Sequence, residues 1–251
     1  MDTPTATSPT SAGLDLAAAS IVSDSRLRRL KPLVGKPVGS LMIHEIYRSL
    51  QGESTYAGLP CTFVRLTACH LRCTYCDTAH AFQKGETVSL GEVVERALAG
   101  GDDLIEVTGG EPLLQPEALP LMSALADAGR TVLLETSGAV DISPVDPRVR
   151  IILDVKTPGS GEVLANLESN LARLKSIDEV KYVVTDRADF DWAVAHVRAN
   201  ALTARVPVLI GAAHGRVEPT ELAAWILESR LPLRLQIQLH KHLWGASTRG
   251  V

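Results

Sequence analysis

The sequence predicts an α/β fold with a parallel sheet, either a TIM-like barrel or an open doubly wound sheet. Stretches with strand and helix character alternate along the 251-residue chain, which is the pattern of repeated βα units. The strands are apolar runs, as expected when both faces of a sheet are covered. Cysteine, glycine and polar residues collect where these strands end, at the edge that binds ligands in parallel α/β folds.

The predicted elements can be followed in chain order. Residues 43–47 alternate like a strand, a polar turn follows at 49–54, and a second strand at 61–66 leads into a cysteine-rich loop. Ser89 is the predicted N-cap of the first helix, with Glu92 at the capping-box position. The remaining predicted strands are 103–108, 131–135, 150–155, 179–184, 206–210 and 233–239, and the predicted helices are 89–99, 116–128, 166–175, 188–198 and 218–229.

Composition and charge exclude several classes of protein. The formal net charge is -4, so nothing indicates non-specific binding to nucleic acid. No apolar run approaches the roughly 20 residues that span a bilayer, and no signal peptide is recognisable. Three of the four cysteines are crowded together, which is unlike a disulfide framework. We therefore expect a cytoplasmic protein that binds neither nucleic acid nor membrane.

The first residues of the chain differ in composition from the rest. Residues 1–12 are rich in Thr, Ser, Pro and Ala, and such a segment buries too little apolar surface to become ordered. A short helix is possible at 14–22, and a small basic patch follows at 25–31. We predict a flexible extension over 1–38, with a helical cap at a subunit contact as the alternative, and one domain over 39–251.

The strongest chemical signal is a group of three cysteines. Cys69, Cys73 and Cys76 are spaced C-x3-C-x2-C, and thiolates gathered this closely indicate a metal site. Three ligands are one short of the four that close a structural zinc site or fully ligate a cubane cluster. A 4Fe–4S cluster on three thiolates keeps one iron open for a ligand that is not protein.

A structural zinc site is the alternative interpretation of these cysteines. Its fourth ligand would be Cys61, His70 or His80. Cys61 is eight residues before Cys69, and a strand between them that rises about 3.3 Å per residue would place Cys61 far from the loop. An ordinary buried thiol is therefore the better interpretation of Cys61. Both histidines are near enough to ligate, but the spacing of the cysteines fits a cluster better.

The cysteine spacing, with the aromatic Tyr75 before the last cysteine, resembles the signature of the radical SAM superfamily. The Thr-Gly-Gly-Glu-Pro sequence at 108–112 resembles the superfamily's element that meets the methionine moiety of S-adenosylmethionine (SAM). Glycine allows close approach of backbone to a ligand, and Glu111 is an anion suited to an ammonium. The resemblance implies a modified, incomplete (βα)6 TIM-like barrel, with a 4Fe–4S cluster whose open iron is chelated by SAM.

A finer resemblance extends from residue 43 to the end of the chain. Residues 49–53, Arg65 and residues 76–78 are similar to the 7-carboxy-7-deazaguanine synthase family. Further matches lie at 135–138, 154–156 and 238–241. The resemblance implies an enzyme that converts 6-carboxy-5,6,7,8-tetrahydropterin to 7-carboxy-7-deazaguanine with loss of ammonia. It also implies that the reaction begins with hydrogen abstraction from C6 and belongs to queuosine and related 7-deazapurine biosynthesis.

Two departures from the family pattern are visible, and several properties are implied only by the resemblance. Residues 1–38 have no counterpart in the family core. Ser137 occupies a position where many members carry Asn, and we expect serine to preserve the polar contact there. The resemblance implies a homodimer, Mg²⁺ as a second metal, and an electron donor such as flavodoxin or ferredoxin. No general base can be chosen from the sequence, so no catalytic residue is assigned beyond the cluster-generated radical.

The chemistry of individual side chains is compatible with these roles. Gln51 offers an amide donor and acceptor to a pterin edge, and Glu53 can accept two hydrogen bonds from a guanine-like ring; a plain polar loop is the alternative. Arg65 lies in an apolar strand, where a charge is costly unless paired, either with a substrate carboxylate or with an internal acid. The resemblance implies that Thr78 ligates Mg²⁺ with substrate oxygens; an N-cap or turn is the alternative.

The full set of implied contacts includes two residues with competing interpretations. Lys156 is either a SAM contact or part of a structural ion pair, and the C-terminal segment ending at Val251 either folds over the site or is a frayed tail. The resemblance implies SAM contacts by Tyr75, Cys76, Asp77, Gly110, Glu135, Thr136, Ser137 and Lys156, and substrate contacts by Leu50, Gln51, Gly52, Glu53, Arg65, Thr108 and Val251.

Two other functions are compatible with the cysteines alone. A radical SAM activase of a glycyl-radical enzyme shares the spacing, but it requires an open groove for a peptide, and the polar set at Gln51, Glu53 and Arg65 suits a small heterocycle better. A non-catalytic zinc or iron–sulfur module would bind zinc, or hold a cluster whose spectrum does not respond to SAM.

Overall fold

The computed structural model describes residues 24–251, so the predictions for residues 1–23 lie outside the described residues. Strands and helices alternate along most of the chain, as the sequence predicts. The strands are β1 Ser40–Leu50, β2 Pro60–Leu66, β3 Glu86–Ser89, β4 Leu104–Gly109, β5 Thr131–Thr136, β6 Arg150–Val155, β7 Glu179–Val184, β8 Val208–Ala212 and β9 Arg234–Gln236. The helices are α1 Asp24–Arg28, α2 Leu90–Leu98, α3 Ala118–Asp127, α4 Arg187–Ala199, α5 Pro219–Ser229 and α6 Leu239–Trp244.

The nine strands form one sheet in the order β3-β1-β2-β4-β5-β6-β7-β8-β9. β1 runs antiparallel to both β2 and β3, and every neighbouring pair from β2 to β9 is parallel. Within the described residues β3 and β9 are the two edges and do not pair with each other. The sheet is therefore an open one, which agrees with the incomplete TIM-like barrel.

The two faces of the sheet carry different chemistry, and β4 illustrates the difference. All six of its residues are buried, so the alternation of its side chains between the two faces of the sheet is not visible as an alternation of exposed and buried positions. Ile105 and Val107 belong to the main hydrophobic core on the helix side, whereas Glu106 and Thr108 line a cavity on the opposite side. Burying each large aliphatic side chain contributes about 1.5–3 kcal/mol, so the helix side holds the fold while the other face carries polar groups.

Helix α2 begins where the sequence predicts, and for the predicted reason. The Ser89 hydroxyl accepts a hydrogen bond from the Glu92 backbone N–H at 3.3 Å, which satisfies one of the free donors of the first turn. Helix α3 is likewise followed by Gly129, whose φ of +78° lies in the left-handed region.

Three elements differ from the prediction in type, length or existence. The expected helix at 166–175 is instead a 3-10 helix over Glu168–Arg173. Within it the buried Asn170 side chain donates to Gly138 O and Val140 O and accepts from Ile142 N. The expected strand at 233–239 is shortened to β9, and α6 follows it at once. β3 was not predicted because it is a short, largely exposed edge strand without an apolar pattern.

Residues 24–38 pack beside the cysteine loop. Leu30 and Leu33 are buried against Ala68 and Leu114. Arg29 donates a hydrogen bond to the His70 backbone carbonyl at 2.6 Å. The boundary between an extension and a domain at residue 38 stays a prediction. No helix among residues 24–251 is long and apolar enough to cross a membrane.

Candidate active site

A cavity of about 370 Å³ lies where the parallel strands end, on the sheet face away from the main core. Its volume is in the range of small-molecule sites. The cavity collects the ends of β2, β4, β5, β6 and β7, the turn after β1 and the C-terminal segment. Of the residues singled out from the sequence, Glu111 does not line it. The predicted cluster, Mg²⁺, SAM and substrate contacts all do: Leu50, Gln51, Gly52, Glu53, Arg65, Cys69, Cys73, Tyr75, Cys76, Asp77, Thr78, Thr108, Gly110, Glu135, Thr136, Ser137, Lys156 and Val251.

The cysteine loop reaches this cavity because two glycines let it pass close to β4. A Cβ on Gly110 would lie 2.2 Å from the Ala68 carbonyl oxygen and 2.7 Å from the Cys69 Cβ, and one on Gly109 would lie 2.5 Å from the Leu66 carbonyl oxygen. Such distances exclude any side chain. The glycine pair therefore fixes the loop against the strand end.

The three thiols of the loop are free and face one cavity. Burial raises the pKa of Cys69 to about 12, and the nearby Glu111 carboxyl adds to the rise. Burial also raises the pKa of Cys73. Without a metal the thiols of Cys69 and Cys73 hold their protons, and a bound metal would displace those protons.

Cys61 does not supply a fourth ligand for a closed zinc site on the three loop thiols. Cys61 is fully buried in a separate apolar group with Phe63 and Leu104, and it does not line the cavity. Among the described residues, the buried Tyr75 Oη and Asp154 Oδ1 have no hydrogen-bond partner, although both residues line the cavity. Orphaned polar atoms beside the thiols indicate that a polar group binds there.

Glu111 has a different role from the ammonium contact expected of it. Its carboxylate accepts hydrogen bonds from Leu113 N at 3.0 Å, Thr136 Oγ1 at 2.9 Å, Ser137 N at 2.8 Å and Ser137 Oγ at 2.5 Å. The side chain is fully buried, and this burial raises its pKa. Glu111 thus fastens the end of β5 to the double-glycine loop and positions Ser137.

Gln51 uses both ends of its amide inside the protein. Its Nε2 donates to Glu106 Oε2 at 2.9 Å, and its Oε1 accepts from the Glu53 backbone N–H at 2.7 Å. The side chain is only 3% exposed, so Gln51 orients its neighbours as much as it faces the cavity. Contact with a substrate edge stays a prediction for Gln51.

A buried lysine joins the groups expected to bind substrate and cofactor. Lys181 Nζ lies 2.9 Å from Glu53 Oε2, contacts Glu135 Oε1 directly, and lies 3.8 Å from Asp154 Oδ2. Burial alone would lower the pKa of Lys181, but the carboxylates of Glu135, Glu53 and Asp154 raise it well above its ordinary value. Lys181 is therefore a permanent cation at the centre of the site.

Arg65 has an internal partner and also faces the cavity. Its guanidinium donates to Glu45 Oε1 at 2.8 Å and to Tyr47 Oη at 2.8 Å. Lys156 behaves similarly, with its ammonium 2.8 Å from Asp154 Oδ2. Both structural ion pairs anticipated as alternatives are present. Contacts of these two cations with ligands stay predictions.

Thr78 has an uncommitted position at the cavity wall. It begins a 3-10 turn, but its side chain makes no capping hydrogen bond, and its hydroxyl lies 3.7 Å from Cys76 Sγ. Neighbouring Asp77 is held by Lys241 at 2.6 Å. Burial opposes ionisation of Asp77, but Lys241 lowers its pKa to about 2. The Thr78 hydroxyl is thus available to a ligand, whereas the Asp77 carboxylate is already paired with Lys241.

The C-terminal segment folds over the site and is not a frayed tail. Leu239 N donates to Gly52 O at 3.0 Å, and Gln238 Nε2 donates to Glu53 Oε1 at 2.9 Å. A Cβ on Gly52 would lie 2.5 Å from His240 Nδ1. Val251 lines the cavity, as the family resemblance implies.

The charged residues that line the cavity and were not predicted from the sequence include Glu106 and Lys181. Each is a single charge within an apolar strand, Glu106 in β4 and Lys181 in β7. The argument that singled out Arg65, namely that a charge in a buried strand needs a partner, would have found both.

Comparison with known proteins agrees with this site. The family model of the radical SAM superfamily matches residues 64–158, a range that includes the cysteine loop and the ends of β4, β5 and β6. The cysteine spacing and this match define the class as a radical SAM protein.

The particular family follows from relatives of nearly the same length. The chain is 43% identical over 214 residues to the 7-carboxy-7-deazaguanine synthase of Chlorobaculum tepidum, covering 84% of this chain and 97% of that one. It is 44% identical over 228 residues to the enzyme of the same name from Koribacter versatilis, covering 84% and 100%. The chain belongs to the 7-carboxy-7-deazaguanine synthase family.

A solved structure supports the fold. The crystal structure of QueE from Escherichia coli superposes with a TM-score of 0.66 at 22% identity, covering 84% of this chain and 99% of that one. At this identity the likeness establishes the shared fold.

Gly110→Ala is expected to impair assembly of a cluster. The new Cβ would press on the Ala68 carbonyl and the Cys69 Cβ, and such overpacking costs about 1–3 kcal/mol at the loop that carries the thiols. Iron and acid-labile sulfide after anaerobic reconstitution should fall clearly below wild type. Gly91→Ala is the matched control, because nothing lies within 4 Å of its Cβ position. Full cluster content in Gly110→Ala would contradict this account of the loop.

Lys181→Met is expected to destabilise the protein by up to about 3–5 kcal/mol, because it leaves the partly buried carboxylates of Glu53 and Glu135 without their cation. Urea unfolding measures the change. The control is Arg96→Met on the surface, where the pair with Glu86 is exposed and a loss below about 1 kcal/mol is expected. If the two variants lose the same stability, Lys181 does not hold the carboxylates together.

Proposed function

We propose that this protein is a radical SAM lyase that converts 6-carboxy-5,6,7,8-tetrahydropterin to 7-carboxy-7-deazaguanine with loss of ammonia, as a step in queuosine or related 7-deazapurine biosynthesis. One observation carries the proposal. The three thiols of the cysteine motif and the polar set expected to bind a heterocycle line the same cavity. Relatives that are 43% and 44% identical carry the name of this enzyme.

Cys69, Cys73 and Cys76 would hold a 4Fe–4S cluster. With SAM bound and one electron delivered, this cofactor pair supplies the carbon radical that begins the reaction. The polypeptide provides the surroundings. Loop residues 69–76 and the end of β4 bring the thiols to the cavity, and Glu111 holds Ser137 toward it. Contacts of Gly110, Ser137, Glu135 and Lys156 with SAM are part of the proposal.

The substrate would lie between the turn at 51–53 and the C-terminal segment. Glu53 is an ionised acceptor, because Lys181 lowers its pKa against the opposing effect of burial. An ionised carboxylate accepts strong hydrogen bonds from amino and ring N–H groups. Arg65 and Val251 would meet the ring and its substituents, and a cover of this kind keeps water away and orients the reacting atoms.

Mg²⁺ would bind at Thr78. The Thr78 hydroxyl makes no capping bond and lines the cavity, so it can serve as one oxygen ligand while substrate and water supply the others. The ion would hold and polarise the carboxylate end of the substrate.

The partners belong to the same proposal. The reaction needs a one-electron donor such as flavodoxin or ferredoxin, and we propose a homodimer that works in the cytoplasm. A glycyl-radical activase would need an open peptide groove. Here α6 and the segment that follows it cover the cavity, with Leu239 bonded to Gly52, which favours a small substrate.

Anaerobic reconstitution tests the function. The reconstituted and reduced protein, given SAM, Mg²⁺ and 6-carboxytetrahydropterin, should form 7-carboxy-7-deazaguanine, and Cys73→Ala should form none. SAM cleavage without this product would reject the substrate but keep the radical chemistry. Full turnover by Cys73→Ala would reject both.

A further inference from the structure

Glu106 is a buried carboxyl that faces the cavity without a cationic partner. It lies on β4, is 2% exposed, and lines the cavity beside Thr108. Its one hydrogen bond in the described structure comes from Gln51 Nε2 to Oε2. The ammonium of Lys181 contacts Glu53, Glu135 and Asp154 within 4 Å, but Glu106 is not among its ion-pair partners.

A carboxyl in this setting favours its neutral form. Burial raises the pKa of Glu106 to about 8, and the nearby Glu135 carboxylate adds to the rise. Glu53 has the opposite behaviour, because its direct pair with Lys181 keeps it ionised. Pairs of carboxyls whose environments separate their pKa values serve different roles in one site.

One amide, that of Gln51, links the Glu106 carboxyl to the backbone of Glu53. Gln51 donates to Glu106 and accepts from the backbone N–H of Glu53, so the three residues form one connected polar edge. A neutral carboxyl can donate a hydrogen bond, whereas an ionised carboxylate can only accept. The edge therefore offers a donor at Glu106 and an acceptor at Glu53.

We propose that Glu106 is a specificity-determining residue whose neutral carboxyl donates a hydrogen bond to the ring carbonyl of the substrate, while Glu53 accepts from N–H groups of the same ring. The assignment rests on the proposed pterin substrate, whose pyrimidinone ring presents a carbonyl next to N–H groups. A site that pairs a buried donor with a ring carbonyl rejects rings that lack it, because the donor is then left unpaired.

The test measures equilibrium binding of 6-carboxypterin, a fluorescent analogue, to the reconstituted holoenzyme with SAM. Glu106→Gln keeps a neutral donor and should bind as wild type at pH 7. Glu106→Leu removes the donor and should bind at least about tenfold more weakly, the equivalent of one buried hydrogen bond. Glu179→Gln is the control, because Glu179 is also a buried carboxyl with a raised pKa but does not line the cavity.

The pH profile separates this role from a merely structural one. Only the neutral form of Glu106 donates, so wild-type affinity should fall as pH rises through about 8, whereas that of Glu106→Gln has no such group to lose. The ratio of the wild-type to the Glu106→Gln dissociation constant should stay near one below pH 7 and reach about tenfold at pH 9. Titration of the ligand is common to both proteins and cancels in the ratio. The titratable groups that interact with Glu106 are Tyr47, Glu53, Cys61, Glu135 and Lys181. The pKa values of Tyr47, Cys61 and Lys181 are raised and that of Glu53 is lowered, so these four groups keep their protonation states between pH 7 and 9.

Failure of the role of Glu106 can be distinguished from failure of the proposed function. A flat ratio, or wild-type binding by Glu106→Leu, overturns the role of Glu106 even if turnover is normal. If Glu106→Leu does not fold, the ratio between wild type and Glu106→Gln still decides. Absence of 7-carboxy-7-deazaguanine from the wild-type reaction would instead reject the proposed function.

Discussion

One buried ammonium, that of Lys181, pairs with carboxylates from several parts of the chain that line the cavity. Lys181 comes from β7, and its partners come from three other parts of the chain: Glu53 from the turn after β1, Glu135 from β5 and Asp154 from β6. Buried charges are tolerated only when they are paired. Without this cation the carboxylates would repel one another at the place where the strand ends converge. The arrangement of these carboxylates therefore depends on Lys181 even when no ligand is bound.

The pairing pattern of this cation also divides the carboxyls into two kinds. Glu53 is ionised because Lys181 contacts it directly, whereas Glu106 lies in the same cavity without a direct cation and keeps its proton near neutral pH. A second fixed point is the close approach of Gly110 to Cys69, which places the thiols beside this polar edge. The chemistry of the three thiols and the recognition of a heterocycle are thereby brought within one cavity.

The sequence predicted which residues line the cavity because the signals are local. The cysteine spacing and the double glycine are short motifs, and parallel strands bring their carboxyl ends to one edge, so the residues at 108–112 and 135–137 had to meet the cysteine loop. Long-range pairings were not predictable. The pair between Lys181 and Glu53 joins residues 128 positions apart, and the fate of Glu111, bonded to Ser137, depends on the packing of two loops.

Isotope transfer tests the central claim, which is that substrate and SAM share this one cavity. Substrate carrying deuterium at C6 is incubated anaerobically with the reduced holoenzyme, and 5′-deoxyadenosine and SAM are analysed by mass spectrometry. Direct transfer between neighbours in one cavity predicts deuterium in the adenosyl moiety. Product formation with an unlabelled adenosyl moiety and deuterium released to water would contradict it.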